Sequence, residues 1–150
     1  MLYKTDMADI SYVPLKGAAL KGAFSVEVKT RGITAQEQSG RCWLFAALNI
    51  LREKVAEKCK LDEFELSQIY LSFYDKLEKS NYFLESILNT LDEKTSSRLI
   101  AHLLSSPLGD GGQWDMLCSL VNNYGLVPKS AMPESYSSSA TSEMLSLIHI

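Results

Sequence analysis

The chain has 150 residues, of which 46% are hydrophobic and 22% are charged, so it can bury the core of one domain and is not disordered. Its formal net charge of −3 provides no basic face of the kind that binds nucleic acid. No apolar run approaches the ~20 residues of a membrane-spanning helix, and the early acid Asp6, without an apolar stretch, argues against a secretory signal.

Residues 1–23 show weak periodicity and are predicted to form an irregular N-terminal arm. From Phe24, apolar residues alternate with polar ones through Val26 and Val28, which predicts a short, half-buried strand. The polar segment 34–41 that follows is predicted to be a surface loop.

Most of the remaining chain has helical periodicity. A long helix is predicted over residues 42–58, with an apolar first half that we expect to be buried and a charged second half that reaches water. Further helices are predicted over residues 65–77, 81–91, 97–105 and 113–124. Residues 126–128 are predicted to be extended, and a serine-rich loop over residues 135–142 leads into a helix that begins near Glu143.

The three cysteines, Cys42, Cys59 and Cys118, are odd in number and widely spaced. This pattern fits neither a disulfide framework nor a zinc site, whose ligands come in closely spaced pairs. We therefore expect no metal or other cofactor, and the unpaired thiols favour a reducing, cytoplasmic setting.

Cys42 is the residue that points most clearly to chemistry, because it begins the predicted helix directly after a polar loop. A helix N-terminus presents unpaired N–H groups and a partial positive charge, and both favour the thiolate, the nucleophilic form of cysteine. We expect Arg41 beside it to add to this field. The alternative interpretation is that Cys42 is a small buried hydrophobic residue.

A thiolate that attacks a carbonyl carbon requires hydrogen-bond donors aimed at the developing oxyanion. Gln36 lies six residues before Cys42, so its side-chain amide and the backbone N–H of Cys42 would supply two donors. Gln38, four residues before the cysteine, is a competing donor that spacing does not exclude. Both glutamines can also be interpreted as solvated loop residues, which we favour for Gln38.

Residues 36–43, Gln-Glu-Gln-Ser-Gly-Arg-Cys-Trp, resemble the active-site segment of papain-like cysteine peptidases, in which Gln and then Gly-x-Cys-Trp recur at this spacing. The arginine before the cysteine resembles the bleomycin hydrolase / aminopeptidase C branch of that family. The same branch is matched, in order, by residues 65–68, 74–79, 110–116, 124–129 and 132–136. The resemblance spans about residues 24–145.

The resemblance implies a mainly α fold: the helical left-hand domain of a papain-like α+β protein, with a short N-terminal strand and without the β-rich right-hand domain. It implies that Cys42 is the nucleophile, that Gln36 is the oxyanion-hole amide and that Trp43 packs beneath the site. Gly111 and Gly112 match the family's glycine pair, whose backbone runs beside the substrate. Only glycine allows a backbone to come so close to a bound peptide.

Secreted papain-like enzymes place disulfide-bonded cysteines where this chain has Ser39 and Gly109, and the loss of both fits a reducing compartment.

The reaction also requires a histidine, which papain-type spacing puts ~130–150 residues after the cysteine. Fewer residues than that follow Cys42, and we interpret His102 and His149 as non-catalytic.

We therefore expect the chain to be the N-terminal part of a longer peptidase and inactive on its own. Residues 24–147 would be a truncated nucleophile domain, and residues 148–150 an aberrant or truncated end. The resemblance implies a cytosolic thiol aminopeptidase that acts on peptide substrates and assembles as a homohexamer.

Two alternatives stay open. The chain is a non-catalytic helical interaction module with a structural cysteine, or Cys42 is a redox sensor. The second is weaker, because no resolving cysteine lies nearby in sequence.

Overall fold

The fold is known from a computed structural model that describes residues 25–27 and 30–148. These residues form six helices: α1 (Cys42–Cys59), α2 (Gln68–Leu88), α3 (Arg98–Ser105), α4 (Trp114–Tyr124), α5 (Tyr136–Ser139) and α6 (Thr141–Ile148). Within the same ranges no strand forms, and two isolated bridges join Gln38 to Ala140 and Leu66 to Pro128. None of the described helices is long and apolar enough to cross a membrane.

The mainly α prediction is confirmed, with three differences in the helices. The helices predicted over 65–77 and 81–91 are one continuous helix, α2, because no proline or glycine interrupts it. The predicted serine-rich loop contains the short helix α5, whose first turn is closed by a reciprocal capping box between Ser135 and Ser138. Thr141 begins α6, two residues before the predicted start.

The strand predicted from Phe24 is wrong for the residues that the structure describes. Ser25 and Val26 lie in a bend, and the Val26 side chain is 78% exposed. Alternation alone makes no strand, because a strand needs a partner with which to exchange backbone hydrogen bonds. Phe24, Val28 and Lys29, like the predicted arm over residues 1–23, lie outside the described residues.

The core lies between α1, α2 and α4. Leucines spaced four apart on α1 and three apart on α4 meet one leucine of α2 there; they are Leu44, Leu48, Leu117, Leu120 and Leu71, joined by Ala47 and Leu66. Beside the core, the rings of Tyr74 and Tyr124 stack with centroids 3.9 Å apart. The expectation that the first half of α1 is wholly buried is wrong, because Ala46 and Ile50 are exposed. The described residues cover only one face of α1.

Candidate active site

Cys42 is exposed at the start of α1, although its neighbours Leu44 and Phe45 are buried. No side chain caps the helix. The N–H groups of Leu44 and Phe45 both donate to the carbonyl of Arg41, at 2.9 and 3.1 Å. The N–H groups of Cys42 and Trp43 make no hydrogen bond within the described ranges. An exposed thiol therefore lies beside two free donors at the positive end of a helix, where an anion is favoured.

Gln36 is held in a tight turn of the loop that leads to Cys42. Its Nε2 donates to the carbonyl of Ser39 at 2.8 Å, and the Ser39 hydroxyl donates to the carbonyl of Gln36 at 2.7 Å. Glu37 between them has a φ of 52°, a left-handed conformation that is uncommon outside glycine. An amide nitrogen has two donors, so the second N–H of Gln36 stays free among the described residues.

Gln38 is held differently from Gln36. Its backbone N–H donates to the carbonyl of Ser139 at 2.9 Å, which ties the loop to α5. Its side chain is exposed and makes no hydrogen bond with any described residue. The turn thus orders the Gln36 amide and leaves that of Gln38 in solvent.

Arg41 is buried and its charge is paired with a carboxylate, so the expectation that this charge adds to the field at Cys42 is wrong. Its two terminal nitrogens lie 3.0 and 2.9 Å from the carboxylate oxygens of Glu134, and its Nε donates to the Ser39 hydroxyl at 3.0 Å. The guanidinium also lies 5.2 Å from the centre of the Phe45 ring. A charge neutralised in this way anchors the loop to the α5 segment rather than acting on the thiol.

Asp110 joins the Cys42 loop to the segment that contains the two glycines. Its carboxylate accepts hydrogen bonds from the Gly40 N–H at 3.1 Å and from the Thr141 hydroxyl, and lies 2.7 Å from Lys76 Nζ. Its carbonyl accepts a hydrogen bond from Trp43 Nε1 at 2.8 Å. Burial by itself would raise the pKa of Asp110, but the bonds from Lys76, Thr141 and Gly40 outweigh it and hold that pKa below the usual 3.8.

Gly112 lies against the ring of Trp43, the residue that follows Cys42. A Cβ atom on Gly112 would lie 2.5 Å from Cζ2 and 2.6 Å from Cδ2 of that ring, too close for any side chain. Gly111 is exposed, and a Cβ atom there would have no neighbour within 4 Å. The structure therefore brings Cys42, Trp43 and the glycine pair together, with open space beside Gly111.

A mainly apolar groove of about 230 Å³ lies beside the glycine pair. Trp43, Gly112, Trp114 and Ile50 contribute to its walls, and the last two side chains are 70% and 64% exposed. Its size and lining suit one apolar side chain.

The structure brings no histidine to this site among the residues it describes. His102 is exposed on α3, and its carbonyl accepts a hydrogen bond from the Ser105 hydroxyl. His149 lies outside the described residues. The described part of the chain also holds no group of three or more His, Cys, Asp or Glu residues that could bind a metal ion.

Comparison with known proteins places this arrangement in a family. The model of the family described as "Peptidase C1-like family" matches residues 1–149. The chain belongs to this family of cysteine peptidases. It is 51% identical over 136 residues to aminopeptidase C of Listeria innocua, and 49% identical over 124 residues to the yeast protein "Cysteine proteinase 1, mitochondrial". These matches cover 91% and 82% of this chain.

A solved member of similar structure is PepW from Lactobacillus rhamnosis HN001, which superposes with a TM-score of 0.83 at 51% identity over 89% of this chain. The match covers 30% of the PepW chain. The chain likewise spans 31% of the length of the Listeria protein and 26% of the yeast protein. The resemblance to aminopeptidase C read from the sequence is confirmed.

Sequence reasoning missed the roles of Glu134 and Asp110 in this C1-like site. Both lie in segments that matched the family, residues 132–136 and 110–116, but a match does not say what a side chain contacts. The sequence carried no signal for Glu134, because only the structure shows that Arg41 is buried and therefore needs a partner of opposite sign.

Proposed function

We propose that this chain supplies the nucleophile and the oxyanion donors of a cytosolic cysteine aminopeptidase. The observation that carries the proposal is the exposed Cys42 thiol at an uncapped helix N-terminus, preceded by the buried Arg41 and followed by the half-buried Trp43. The similarity to proteins named aminopeptidase C supports removal of N-terminal residues from peptides as the activity.

In the proposed reaction the Cys42 thiolate attacks the carbonyl carbon of the bond to be cut. The Cys42 N–H and the free N–H of the Gln36 amide stabilise the oxyanion as it forms. The C–N bond then breaks, the amine leaves with a proton, and a thioester to Cys42 remains. Water hydrolyses the thioester, releasing a carboxylic acid and restoring the thiol.

Gly111 and Gly112 are proposed to hold the backbone of the peptide substrate. Their position against Trp43, with open space beside Gly111, supports this role. The proton for the leaving amine requires a histidine. We propose that this histidine, and the asparagine that orients it, belong to the part of the longer relatives that this chain does not span.

The cytosolic setting and a homohexameric assembly are also proposed, on the family resemblance. The unpaired cysteines support the cytosol, whereas the yeast relative is named mitochondrial. The hexamer is proposed for the longer protein, and sedimentation equilibrium of that protein tests it, because a hexamer has six times the mass of one of its chains.

The helix α1 contains its own control for the proposed thiolate. Cys42 is its first residue and Cys59 its last, and both thiols are exposed. The helix dipole favours an anion at the first position and disfavours one at the last. We therefore expect iodoacetamide to alkylate Cys42 faster than Cys59 below neutral pH, as measured by peptide mass spectrometry over time.

A Cys42→Ser variant checks the site assignment, since it should lose the fast phase and leave the rate at Cys59 unchanged. Equal rates at Cys42, Cys59 and the half-buried Cys118 across the pH range would instead favour a non-catalytic helical module.

A further inference from the structure

Lys79, on α2, has its ammonium group surrounded by three acceptors. Its Nζ donates to Asp75 Oδ2 at 2.7 Å, to the carbonyl of Gly109 at 2.9 Å and to the carbonyl of Gly111 at 2.7 Å. A protonated lysine has three donors, so all of them are used. The side chain is only 17% exposed and that of Asp75 only 3%. The ammonium is therefore fixed in place.

The segment held by Lys79 lies beside the nucleophile. Gly112 contacts the ring of Trp43, the residue that follows Cys42. Lys79 Nζ lies 5.7 Å from the centre of the same ring, and Trp43 Nε1 donates to the carbonyl of Asp110. Side-chain donors thus orient three consecutive carbonyls, those of residues 109, 110 and 111.

The bond to Gly111 also determines where the next N–H points. The described residues contain no cis peptide bond, and in a planar trans peptide the C=O and the N–H point in opposite directions. Because the Gly111 carbonyl is turned toward Lys79, the Gly112 N–H is turned away from it. That N–H makes no hydrogen bond within the described ranges, so it is free to donate to another molecule.

We infer that Lys79 is a positioning residue of the active site, which turns the Gly111 carbonyl inward so that the Gly112 N–H can donate to a carbonyl of the bound peptide. The inference rests on the proposed function. Lys76 also binds the Gly109 carbonyl, at 2.7 Å, but Lys79 alone among the described side chains binds that of Gly111.

The test compares two reagents that alkylate Cys42 in the full chain. Iodoacetamide reports the thiolate alone, whereas a dipeptidyl chloromethyl ketone has backbone carbonyls that can accept from Gly112. Lys79→Met removes the three donors and keeps the aliphatic stem. The double variant Asp75→Asn, Lys79→Met also removes the carboxylate that the single variant leaves buried. Lys129→Met is the control, because that lysine pairs with Glu65 and its side chain is 43% exposed.

We expect Lys79→Met to raise the half-saturating concentration of the dipeptidyl reagent about tenfold, the scale of one hydrogen bond lost. The rate of alkylation at saturating dipeptidyl reagent, and the rate with iodoacetamide, should each differ from those of the unsubstituted chain by less than about twofold. The double variant should show the same rise, and Lys129→Met should show none.

In the variants, three results would each overturn the inference: a half-saturating concentration unchanged in Lys79→Met, recovery of the original value in the double variant, or equal slowing of both reagents. Absence of saturation in the unsubstituted chain would also overturn it. Failure of the proposed function is seen separately, as an iodoacetamide rate at Cys42 no greater than at Cys59.

Discussion

Replacing Gly112 with alanine tests the close contact on which the glycine pair depends. The added methyl group would lie 2.5 Å from Trp43 Cζ2, far inside the ~3.5 Å at which carbon atoms pack best. The ring cannot simply move aside, because its Nε1 donates to the carbonyl of Asp110 at 2.8 Å. Either that hydrogen bond breaks or the backbone at Gly112 shifts.

Either response lowers the free energy of unfolding of Gly112→Ala. Overpacking of this kind destabilises proteins by roughly 1–3 kcal/mol. Gly111→Ala is the matched control, because a methyl group there meets no atom within 4 Å and no left-handed φ is involved. That change should alter the free energy of unfolding by less than about 0.5 kcal/mol, or stabilise slightly by restricting the unfolded chain.

Urea unfolding followed by tryptophan fluorescence measures both variants. Gly112→Ala should lower the midpoint and also change the folded-state emission, since Trp43 must change its surroundings. Equal free energies of unfolding for Gly111→Ala and Gly112→Ala would show that the ring does not fill the space beside Gly112, and the argument for its role would fail.

Two further variants test the charged contacts around the site. Glu134→Gln should destabilise the fold by roughly 3 kcal/mol, because it leaves the charge of Arg41, 2% exposed, without its carboxylate. Glu65→Gln is the matched control, because both glutamate side chains are 25% exposed but the partner of Glu65 is an exposed lysine. Its loss of unfolding free energy should therefore stay below about 1 kcal/mol. Similar losses for the two variants in urea unfolding would contradict this reasoning. Because the folded-state pKa of Asp110 lies below its usual 3.8, its contribution to stability is present above that pH and is lost as the pH falls through the lower value. The difference in unfolding free energy between the chain and Asp110→Asn should therefore shrink in acid, and a constant difference from neutral pH to below about pH 3 would refute the assignment.

Local sequence patterns were sufficient to predict most helices and the start of α1 at Cys42. Leucine spacing on α1 and α4 depends on helical periodicity, which short segments specify by themselves. The strand predicted near Val26 does not form, because a strand, unlike a helix, is not specified by a short segment alone. Strand pairing depends on a distant partner, and the described residues offer none.

What the amino-acid sequence determined here is the helix that presents Cys42 and the family motif around it, because both depend on residues close together in the chain. The tertiary structure alone decided the partners of Arg41, Asp110 and Lys79. Arg41 pairs with a carboxylate 93 positions away and Lys79 with a carbonyl 32 positions away. Such pairings depend on how helices pack, and no spacing rule encodes the distance between side chains that meet only after folding.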